Sequence, residues 1–414
     1  MLILILILYI LKEGFEYTVL YLNLRHMREH GSVIPPEFEG KTDKGLLKKT
    51  RDYEEEKAWL GIASSVFGNV VIIAVIFGGA LDIYNSWVTS MDLSFAVSGW
   101  LFFILLSYAD EILSIPFSLY GTFRIENKYG FNTMTPGLWL SDLFKSLIIS
   151  TLLMSLLLFT ALWLIQWSPG YWWFFVWSFL FAYGIFIMYI SPYVIEPLFN
   201  KFTPLEDETL KERIVNLTEK VGIHLSRVLK IDASRRSRHT NAYFTGIGRT
   251  KRIVLYDTLL AGMNIDEIIS VIAHEIGHWK KRHLLKMMAA FQLFSLIGLY
   301  ITYRVVQSDM LLTVFRISTD SIFVKFILLG FLGDIILLPL GPLAAAFSRR
   351  HEREADWVSY ELTENTENMV SALIKLSKEN LSNLYPHPLY VTLYYSHPPI
   401  VERIRYIRGF NKSA

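Results

Sequence analysis

Seven long apolar segments dominate this chain and restrict what it can fold into. A membrane span needs roughly 20 mostly apolar residues to cross about 30 Å of hydrocarbon. Of the 414 residues, 52% are hydrophobic and only 19% are charged, against about 25% charged in a soluble domain. We predict spans over residues 2–23, 59–84, 95–120, 146–165, 171–199, 283–306 and 322–347. The sequence therefore predicts an all-α membrane protein with seven transmembrane helices.

The first segment is the weakest of the seven, because Lys12, Glu13 and Glu16 interrupt it. It begins MLILILILYI, without the basic start or the small-residue cleavage site of a signal peptide. The Leu/Ile alternation formally resembles a strand, but an unpaired strand would leave its backbone unsatisfied in lipid. We therefore predict a retained helix.

The basic residues are distributed very unevenly between alternating connections. Of the 40 Lys and Arg residues, 35 lie in residues 24–58, 121–145, 200–282 and 348–414, whereas the other three connections contain only Arg316. Basic loops stay on the cytosolic side of a membrane. We therefore expect the N-terminus to lie outside the cell. We divide the chain into four parts: spans 1–5 with their loops (1–199), a cytosolic catalytic segment (200–282), spans 6 and 7 (283–347) and a C-terminal catalytic segment (348–414).

Two other features of the composition exclude classes of function. A net charge of +2 argues against nucleic acid as a partner. The chain contains no cysteine, which excludes disulfides, thiolate catalysis and Cys-ligated metal sites.

Residues 200–282 have the pattern of a small soluble fold. An amphipathic helix over 206–221 ends at Gly222, and residues 228–232 and 252–256 are predicted to be short strands, with a turn at 245–248. A helix over 265–281, capped near Asn264 or Asp266, contains the sequence HEIGH at 274–278. We expect a short hairpin or sheet beside this helix.

HEIGH matches the pattern HExxH, in which both histidines can bind one metal ion. Positions i and i+4 of a helix lie on one face, so His274 and His278 can both reach a Zn²⁺ ion at about 2.0–2.1 Å. Glu275 is adjacent and can act as the general base toward a water molecule. The alternative is a helix surface with two solvated histidines, but the buried-type run before the motif (Ile268, Ile269, Val271, Ile272) favours the metal site.

Catalytic zinc needs a third protein ligand. After the predicted spans 6 and 7 the chain returns as RRHEREAD, residues 349–356. Glu352 and Asp356 are four residues apart, so that Glu352 can bind the metal while Asp356 accepts the other ring N–H of a ligand histidine. His351 and Glu354 compete with Glu352 as the third ligand, and an exposed charged helix start remains a further alternative.

These motifs together resemble the CAAX prenyl protease type I family of zinc metalloendopeptidases. HEIGH is followed by ExxAD at 352–356 and SHPP at 396–399, and the segments RIENKYGFN, SPYVIEPLFNKFTPLED, NAYFTG and KRIVLYDTLL occur in family order. The resemblance covers nearly the whole chain. It implies a barrel of seven long helices around a large chamber, with one Zn²⁺ per chain near the cytosolic face.

The resemblance also implies a role for individual side chains. The metal ligands would be His274, His278 and Glu352, with Glu275 as catalytic base. Asp356 would orient a ligand, His397 would help to stabilise the oxyanion, and Arg403 would support the region around His397. Asn241 and Ala242 would belong to an edge strand that pairs with extended substrate. Asp110, Glu111 and Glu126 are acids in or near the third span and receive no role.

The expected partners are prenylated or other C-terminal peptides and proteins, together with membrane lipid. The sequence ends NKSA, without a retrieval signal, which favours a bacterial inner membrane over the endoplasmic reticulum. Two alternatives are a membrane-protein quality-control protease of the HtpX type, which has fewer spans, and a transporter or non-catalytic scaffold. No inverted repeat typical of transporters is visible, and an intact HEIGH argues against a scaffold.

Overall fold

The computed structural model describes residues 1–246 and 251–410, and most of them are helical. Three helices include a π-helical turn, at Ile73–Phe77, Gly121–Glu126 and Ser191–Ile195, and two 3₁₀ turns lie at Pro36–Phe38 and Ala233–Arg235. From the amino end the helices are α1 (Leu2–His30), α2 (Lys44–Phe77), α3 (Ala80–Ser90), α4 (Phe95–Tyr129), α5 (Pro136–Trp167), α6 (Trp172–Phe199), α7 (Glu208–Glu219), α8 (Asp257–Gly262), α9 (Ile265–Lys280), α10 (His283–Val306), α11 (Met310–Phe315), α12 (Ile322–Ile336), α13 (Leu340–Thr363), α14 (Thr366–Glu379), α15 (Pro388–Tyr394) and α16 (Ile400–Gly409).

Five of these helices, α2, α4, α5, α6 and α10, are long and apolar enough to cross a membrane. The bent pair α12 and α13 raises the number to six if the two helices form one span. A multi-pass membrane protein with a predominantly helical fold is therefore confirmed. The predicted number of seven spans stays a prediction, since α1 does not belong to this set.

The charges in the middle of α1 face other helices. Lys12 Nζ lies 3.0 Å from Asp334 Oδ2 of α12 and 2.9 Å from Glu13 Oε1. Asn69 Nδ2 of α2 donates a hydrogen bond of 2.6 Å to Glu13 Oε2. Charged side chains are tolerated within a membrane protein when they pair in the interior of the bundle. The charged residues that interrupt the first apolar segment thus have polar partners on α2 and α12.

Two predicted spans differ from the structure at a glycine and at a proline. The span predicted over 59–84 ends at Phe77, and Gly79, with φ +82°, precedes the separate helix α3. The span predicted over 322–347 is bent by 66° between α12 and α13. Pro339 lies at this break, where its missing amide hydrogen and its ring prevent a continuous helix. The second span therefore ends earlier than predicted, and the last predicted segment consists of two helices that meet at a bend.

Few residues in the apolar stretches of the membrane-spanning helices are fully buried. In the most apolar window of each of the five spans, between 0 and 17% of the residues are buried. The far end of the bundle is better packed, because the start of α1, the end of α2, α3 and α11 contribute to one apolar core. That core contains Ile5, Ile76, Leu81, Val88, Phe102, Leu162, Leu311, Leu312, Phe315, Phe323, Val324 and Leu328. An apolar core thus closes this end of the bundle.

The opposite end carries a four-stranded sheet. Its strands are β1 (Phe202–Pro204), β2 (Arg227–Ile231), β3 (Ala242–Thr245) and β4 (Arg252–Tyr256), in the spatial order β1-β2-β4-β3. The central pair β2 and β4 is parallel, and both outer strands are antiparallel to their neighbours. The two predicted strands are confirmed as β2 and β4. Of the predicted turn at 245–248, Ile247 and Gly248 lie outside the described residues.

Candidate metal and catalytic site

The helix that contains HEIGH, α9, begins at a well-defined cap. Asn264 Oδ1 accepts a hydrogen bond from the backbone N–H of Glu267, and Glu267 Oε2 accepts one from the backbone N–H of Asn264. This reciprocal arrangement satisfies two of the free N–H groups at a helix start. Glu267 also accepts hydrogen bonds from Ser371 Oγ (2.6 Å) and Lys375 Nζ (2.7 Å) of α14. The cap therefore fixes α9 against α14.

Helices α9 and α13 cross at very short range. A Cβ atom added to Gly277 would lie 2.8 Å from Ala355 Cα and 2.9 Å from Ala355 O. Further along the same interface, the buried Ser359 Oγ donates a 2.9 Å hydrogen bond to Ser270 O. Small residues at both contacts allow the two backbones to approach. This crossing brings the histidines of α9 beside the acidic residues of α13.

We expect Gly277→Ala to disturb this crossing. Overpacking a tight interface costs about 1–3 kcal/mol, and here it outweighs the gain of roughly 1 kcal/mol that alanine brings inside a helix. The melting temperature and the bound metal of the purified protein should both decrease. Gly298→Ala in α10 is the matched control, since no heavy atom lies within 4 Å of its added Cβ. Equal behaviour of the two variants would contradict the role of the crossing.

Three side chains from the two helices converge on one point. His274 Nε2 lies 3.2 Å from His278 Nε2 and 3.3 Å from Glu352 Oε2, and His278 Nε2 lies 3.2 Å from Glu352 Oε1. One ligand atom from each residue falls within 4.8 Å of the others. His274 and Glu352 are buried, and His278 is half-buried. These residues could hold a metal ion.

The chemistry of this cluster fits a cation. Glu352 Oε2 is buried and makes no hydrogen bond within the described part of the chain, although His274 lies close to it. Burial and the charge of Arg403 lower the pKa of His274, but the neighbouring carboxylates of Asp356 and Glu352 raise it more, to about 9. The surrounding carboxylates therefore favour positive charge at this imidazole. Two imidazole nitrogens and a carboxylate are the donor set of many catalytic zinc sites.

A buried pair supports the outer side of His274. Asp356 Oδ1 lies 2.9 Å from His274 Nδ1. Arg403 Nε donates to Asp356 Oδ2 (2.8 Å), and Arg403 Nη2 donates to Asp356 Oδ1 (2.6 Å). The bidentate contact fixes the carboxylate, which in turn fixes the imidazole. The structure thus places Asp356 beside His274 and Arg403 beside Asp356, and their predicted roles stay predictions.

His397 lies on the open side of the cluster. Its Nε2 atom is 3.3 Å from Glu352 Oε1, its ring is 62% exposed, and its Nδ1 atom is 2.9 Å from Ser396 Oγ. It borders a cavity of about 410 Å³ that Glu54, Asn380 and Arg403 also line. A ring in this position can reach a group bound beside the three converging side chains.

Glu275 differs from the other acids of the site. It follows His274 on α9 and is half-buried, and its carboxylate makes no hydrogen bond or ion pair within residues 1–246 and 251–410. A carboxylate without a fixed partner next to two potential metal ligands can accept a proton from a bound molecule.

The two competing candidates for the third ligand lie away from the converging atoms. The ring of His351 stacks on His283, with centroids 4.1 Å apart and planes at 14°. Glu354 Oε2 lies 3.1 Å from His283 Nε2. Sequence reasoning missed His283 itself, whose Nδ1 atom is 3.0 Å from His278 Nδ1. His283 follows His278 by five residues, a spacing that does not place two side chains on the same face of a helix, so the sequence pattern gave no reason to predict it.

Asn241 and Ala242 lie where an edge strand begins. β3 starts at Ala242 and pairs with β4 on one side only. Asn241 is exposed and precedes the strand. The predicted placement of these residues in an edge strand fits Ala242, whereas Asn241 adjoins it.

Glu126 connects this strand to the membrane helices. Glu126 Oε1 accepts a 2.7 Å hydrogen bond from Tyr53 of α2, and Oε2 lies 3.2 Å from His239 Nε2. His239 Nδ1 lies 3.0 Å from Asn380 Oδ1. The acid at the end of α4 thus supports the segment that leads into β3. Asp110 and Glu111 are exposed side chains in the middle of α4, before Glu126.

We expect the Glu126–His239 pair to give stability that depends on pH. The hydrogen bond with Glu126 raises the pKa of His239 above its ordinary 6.5, against the opposing effects of burial and Lys57. A group whose pKa rises on folding stabilises the fold fully below its unfolded pKa, and this contribution is lost as pH rises through the folded pKa. The ring is 38% exposed, so solvent screening limits the contribution to about 0.2–1 kcal/mol.

Glu126→Gln should therefore lower the melting temperature more below the ordinary His239 pKa than well above it. Tyr53→Phe removes the hydrogen bond that the neutral Tyr53 hydroxyl donates to the same carboxylate and serves as the control. Its decrease in melting temperature should change little over this pH range. An equal loss for Glu126→Gln at both pH values would disprove the ionic contribution.

Comparison with known proteins places this geometry in a family. The profile described as the CAAX prenyl protease N-terminal region, five membrane helices, matches residues 23–201, and that of peptidase family M48 matches residues 204–411. The chain is 34% identical to CAAX prenyl protease 1 of Saccharomyces cerevisiae over 95% of this chain and 92% of that protein. It is 31% identical to the uncharacterized metalloprotease YhfN of Bacillus subtilis over 74% of this chain and 72% of that protein.

A solved structure shares the complete fold. The crystal structure of S. mikatae Ste24p matches with a TM-score of 0.90 and 32% identity, covering 98% of each chain. Matches of this extent define an integral-membrane metalloendopeptidase. The chain belongs to the CAAX prenyl proteases of peptidase family M48, which confirms the family that the motifs predicted.

Proposed function

We propose that this metalloendopeptidase uses one Zn²⁺ ion to cleave C-terminal tails of prenylated C-a-a-X proteins or peptides. The observation that carries the proposal is the convergence of His274, His278 and Glu352 within 4.8 Å. This ligand set leaves one position open, as catalytic zinc requires. Relatives named CAAX prenyl protease 1 in yeast and Arabidopsis thaliana support the class of substrate.

His274, His278 and Glu352 would hold the ion, which supplies Lewis acidity and lowers the pKa of water toward ~7. Glu275 accepts a proton from the water molecule that attacks the scissile carbonyl carbon. The same carboxyl group then gives the proton to the departing amine nitrogen as the C–N bond breaks. His397 faces the open side and donates a hydrogen bond to the oxyanion that forms at the carbonyl oxygen.

Two further groups of residues prepare the site for this reaction. Asp356 and Arg403 hold His274 in one orientation, as their 2.6 and 2.8 Å hydrogen bonds support. Asn241 and Ala242 bind the substrate backbone, because the open edge of β3 can accept an extended peptide as a further strand. The cavity beside His397 offers room for the residues on one side of the cleaved bond.

We further propose that the catalytic end faces the cytosol and the N-terminus lies outside, as the distribution of basic residues favours. In this arrangement residues 1–199 and 283–347 form the chamber wall in the lipid, whereas 200–282 and 348–414 carry the chemistry. Placement in a bacterial inner membrane stays a prediction. Since the chain has no cysteine, single cysteines at exposed His224 and Gly170 allow labelling from each side of sealed vesicles.

Labelling of His224→Cys from the cytosolic side and of Gly170→Cys from the other side is the expected result. The reverse pattern would overturn the proposed orientation without affecting the proposed chemistry.

Two alternatives receive less support. The N-terminal profile of the CAAX prenyl proteases matches residues 23–201, which favours this family over a quality-control protease of the HtpX type. A transporter or non-catalytic scaffold would not need the complete set of HExxH residues and a converging third carboxylate.

The proposal is tested with purified protein in lipid nanodiscs. A farnesylated C-a-a-X peptide and the same peptide without farnesyl are incubated with the protein, products are mapped by mass spectrometry, and bound metal is measured in parallel. We expect one equivalent of zinc and faster release of the C-terminal residues from the farnesylated peptide. Equal rates would remove prenyl recognition from the proposal, and the absence of zinc with no cleavage would overturn it altogether.

A further inference from the structure

The structure contains a second layer behind His278 that the mechanism above does not use. His278 Nδ1, on the side of the ring away from Glu352, lies 3.0 Å from His283 Nδ1. His283 Nε2 lies 3.1 Å from Glu354 Oε2, and Glu354 Oε1 accepts a 3.1 Å hydrogen bond from Arg350 Nε. His283 is 2% exposed. The four side chains form a continuous row from the metal cluster to the surface of α13.

We propose that His283 and Glu354 are positioning residues, which fix the orientation and tautomer of His278 and thereby set the affinity of the site for its metal. This inference rests on the proposed role of His278 as a ligand. A ligand histidine keeps a lone pair on Nε2 and its proton on Nδ1. Among the described residues, His283 Nδ1 lies 3.0 Å from this nitrogen and can accept its proton.

The tautomer of His283 follows from this hydrogen bond. If its Nδ1 atom accepts, its proton resides on Nε2, and this N–H donates to Glu354 Oε2 at 3.1 Å. Both imidazoles are then neutral, and each ring nitrogen is a ligand, a hydrogen-bond donor or an acceptor. The Glu354 carboxylate thereby fixes the direction of every hydrogen bond in the row. Outer partners of this kind fix ligand geometry and increase ligand basicity.

The site thus has matching supports on its two histidines. His274 Nδ1 is held directly by Asp356, whereas His278 is held by a carboxylate that acts through an intervening imidazole. The difference arises because α9 ends at Lys280 and the chain turns at Arg282, with φ +56°, before α10 begins. His351 fixes the plane of His283 by stacking at 4.1 Å.

The test uses the full-length protein stripped of metal and titrated with zinc against a competing chelator. His283→Phe keeps the stacked ring and removes both nitrogens, and we expect zinc affinity to decrease about 10–100-fold. The visible spectrum of the Co²⁺-substituted protein should change as well, because the orientation of His278 is released. His351→Phe keeps the ring stacked on His283 and removes only ring nitrogens that lie outside the row, so it should leave affinity unchanged.

A conservative pair of variants separates positioning from packing. Glu354→Gln keeps an oxygen acceptor for His283 Nε2–H and should retain most of the affinity, whereas Glu354→Leu should lose it as His283→Phe does. Wild-type affinity and an unchanged Co²⁺ spectrum in folded His283→Phe would overturn this inference. Failure of the wild-type protein itself to bind zinc would instead overturn the proposed function.

Discussion

Replacing Glu275 with glutamine should abolish peptide cleavage and leave the metal in place. Glutamine has the same shape but cannot accept a proton, so the variant loses general-base catalysis, which contributes about 10²–10⁴-fold to rate. Glu275 has no hydrogen bond or ion pair among the described residues, so the substitution breaks no contact that the fold needs. Turnover of a farnesylated peptide and bound zinc are measured on the same preparation.

Glu361→Gln on α13 is the control for Glu275→Gln, because it makes the same chemical change in an exposed glutamate that contacts Lys280 and Trp357. It should retain both activity and metal. Cleavage by Glu275→Gln at the wild-type rate would show that another group takes the proton. Loss of zinc from this variant would instead place Glu275 among the ligands.

Glu352→Ala should release the metal and with it all activity. The substitution removes the carboxylate whose two oxygens lie 3.2 and 3.3 Å from the two imidazoles. Removal of a ligand should weaken zinc binding by more than the roughly 10–100-fold that follows loss of an outer partner. Metal content after dialysis, measured together with the melting temperature at saturating zinc, distinguishes loss of the ligand from loss of the fold.

Glu361→Ala provides the matched comparison on the same helix and should keep its zinc. A full equivalent of metal in Glu352→Ala would contradict the assignment. In that case Glu354 or His351 would have to reach the ion, which requires each of them to leave its contact with His283.

Local spacing predicted the parts of the site that lie on one helix. His274 and His278 share a face because they are four residues apart, and residues nearby predicted the helix and its end, with the cap open between Asn264 and Asp266 until the structure placed it at Asn264. The third ligand was open among Glu352, His351 and Glu354 from the residues alone. Their separation depends on how α13 crosses α9, which is set by Gly277 and Ala355 far apart in sequence.

Other features depended on single turns that periodicity does not detect. His283 reaches His278 because Arg282 adopts a left-handed conformation between two helices. The bends after Phe77 and Ile336 depend on one glycine and one proline inside otherwise apolar segments. Strands β1 and β3 contain only three and four residues, too few for a pattern of alternation, so β1 was not predicted and an edge strand at Asn241 and Ala242 was implied only by the family resemblance.

The low burial along the membrane helices has a consequence for how this protein can vary. Loss of a side chain costs stability mainly where it leaves a cavity in a packed interior, and few residues in the apolar stretches of these spans are fully buried. These spans should therefore accept many substitutions that keep their outer surface apolar. Sequence can therefore change along the middle of the spans at little cost to the fold, whereas the apolar core at one end and the crossing of α9 and α13 at the other restrict it.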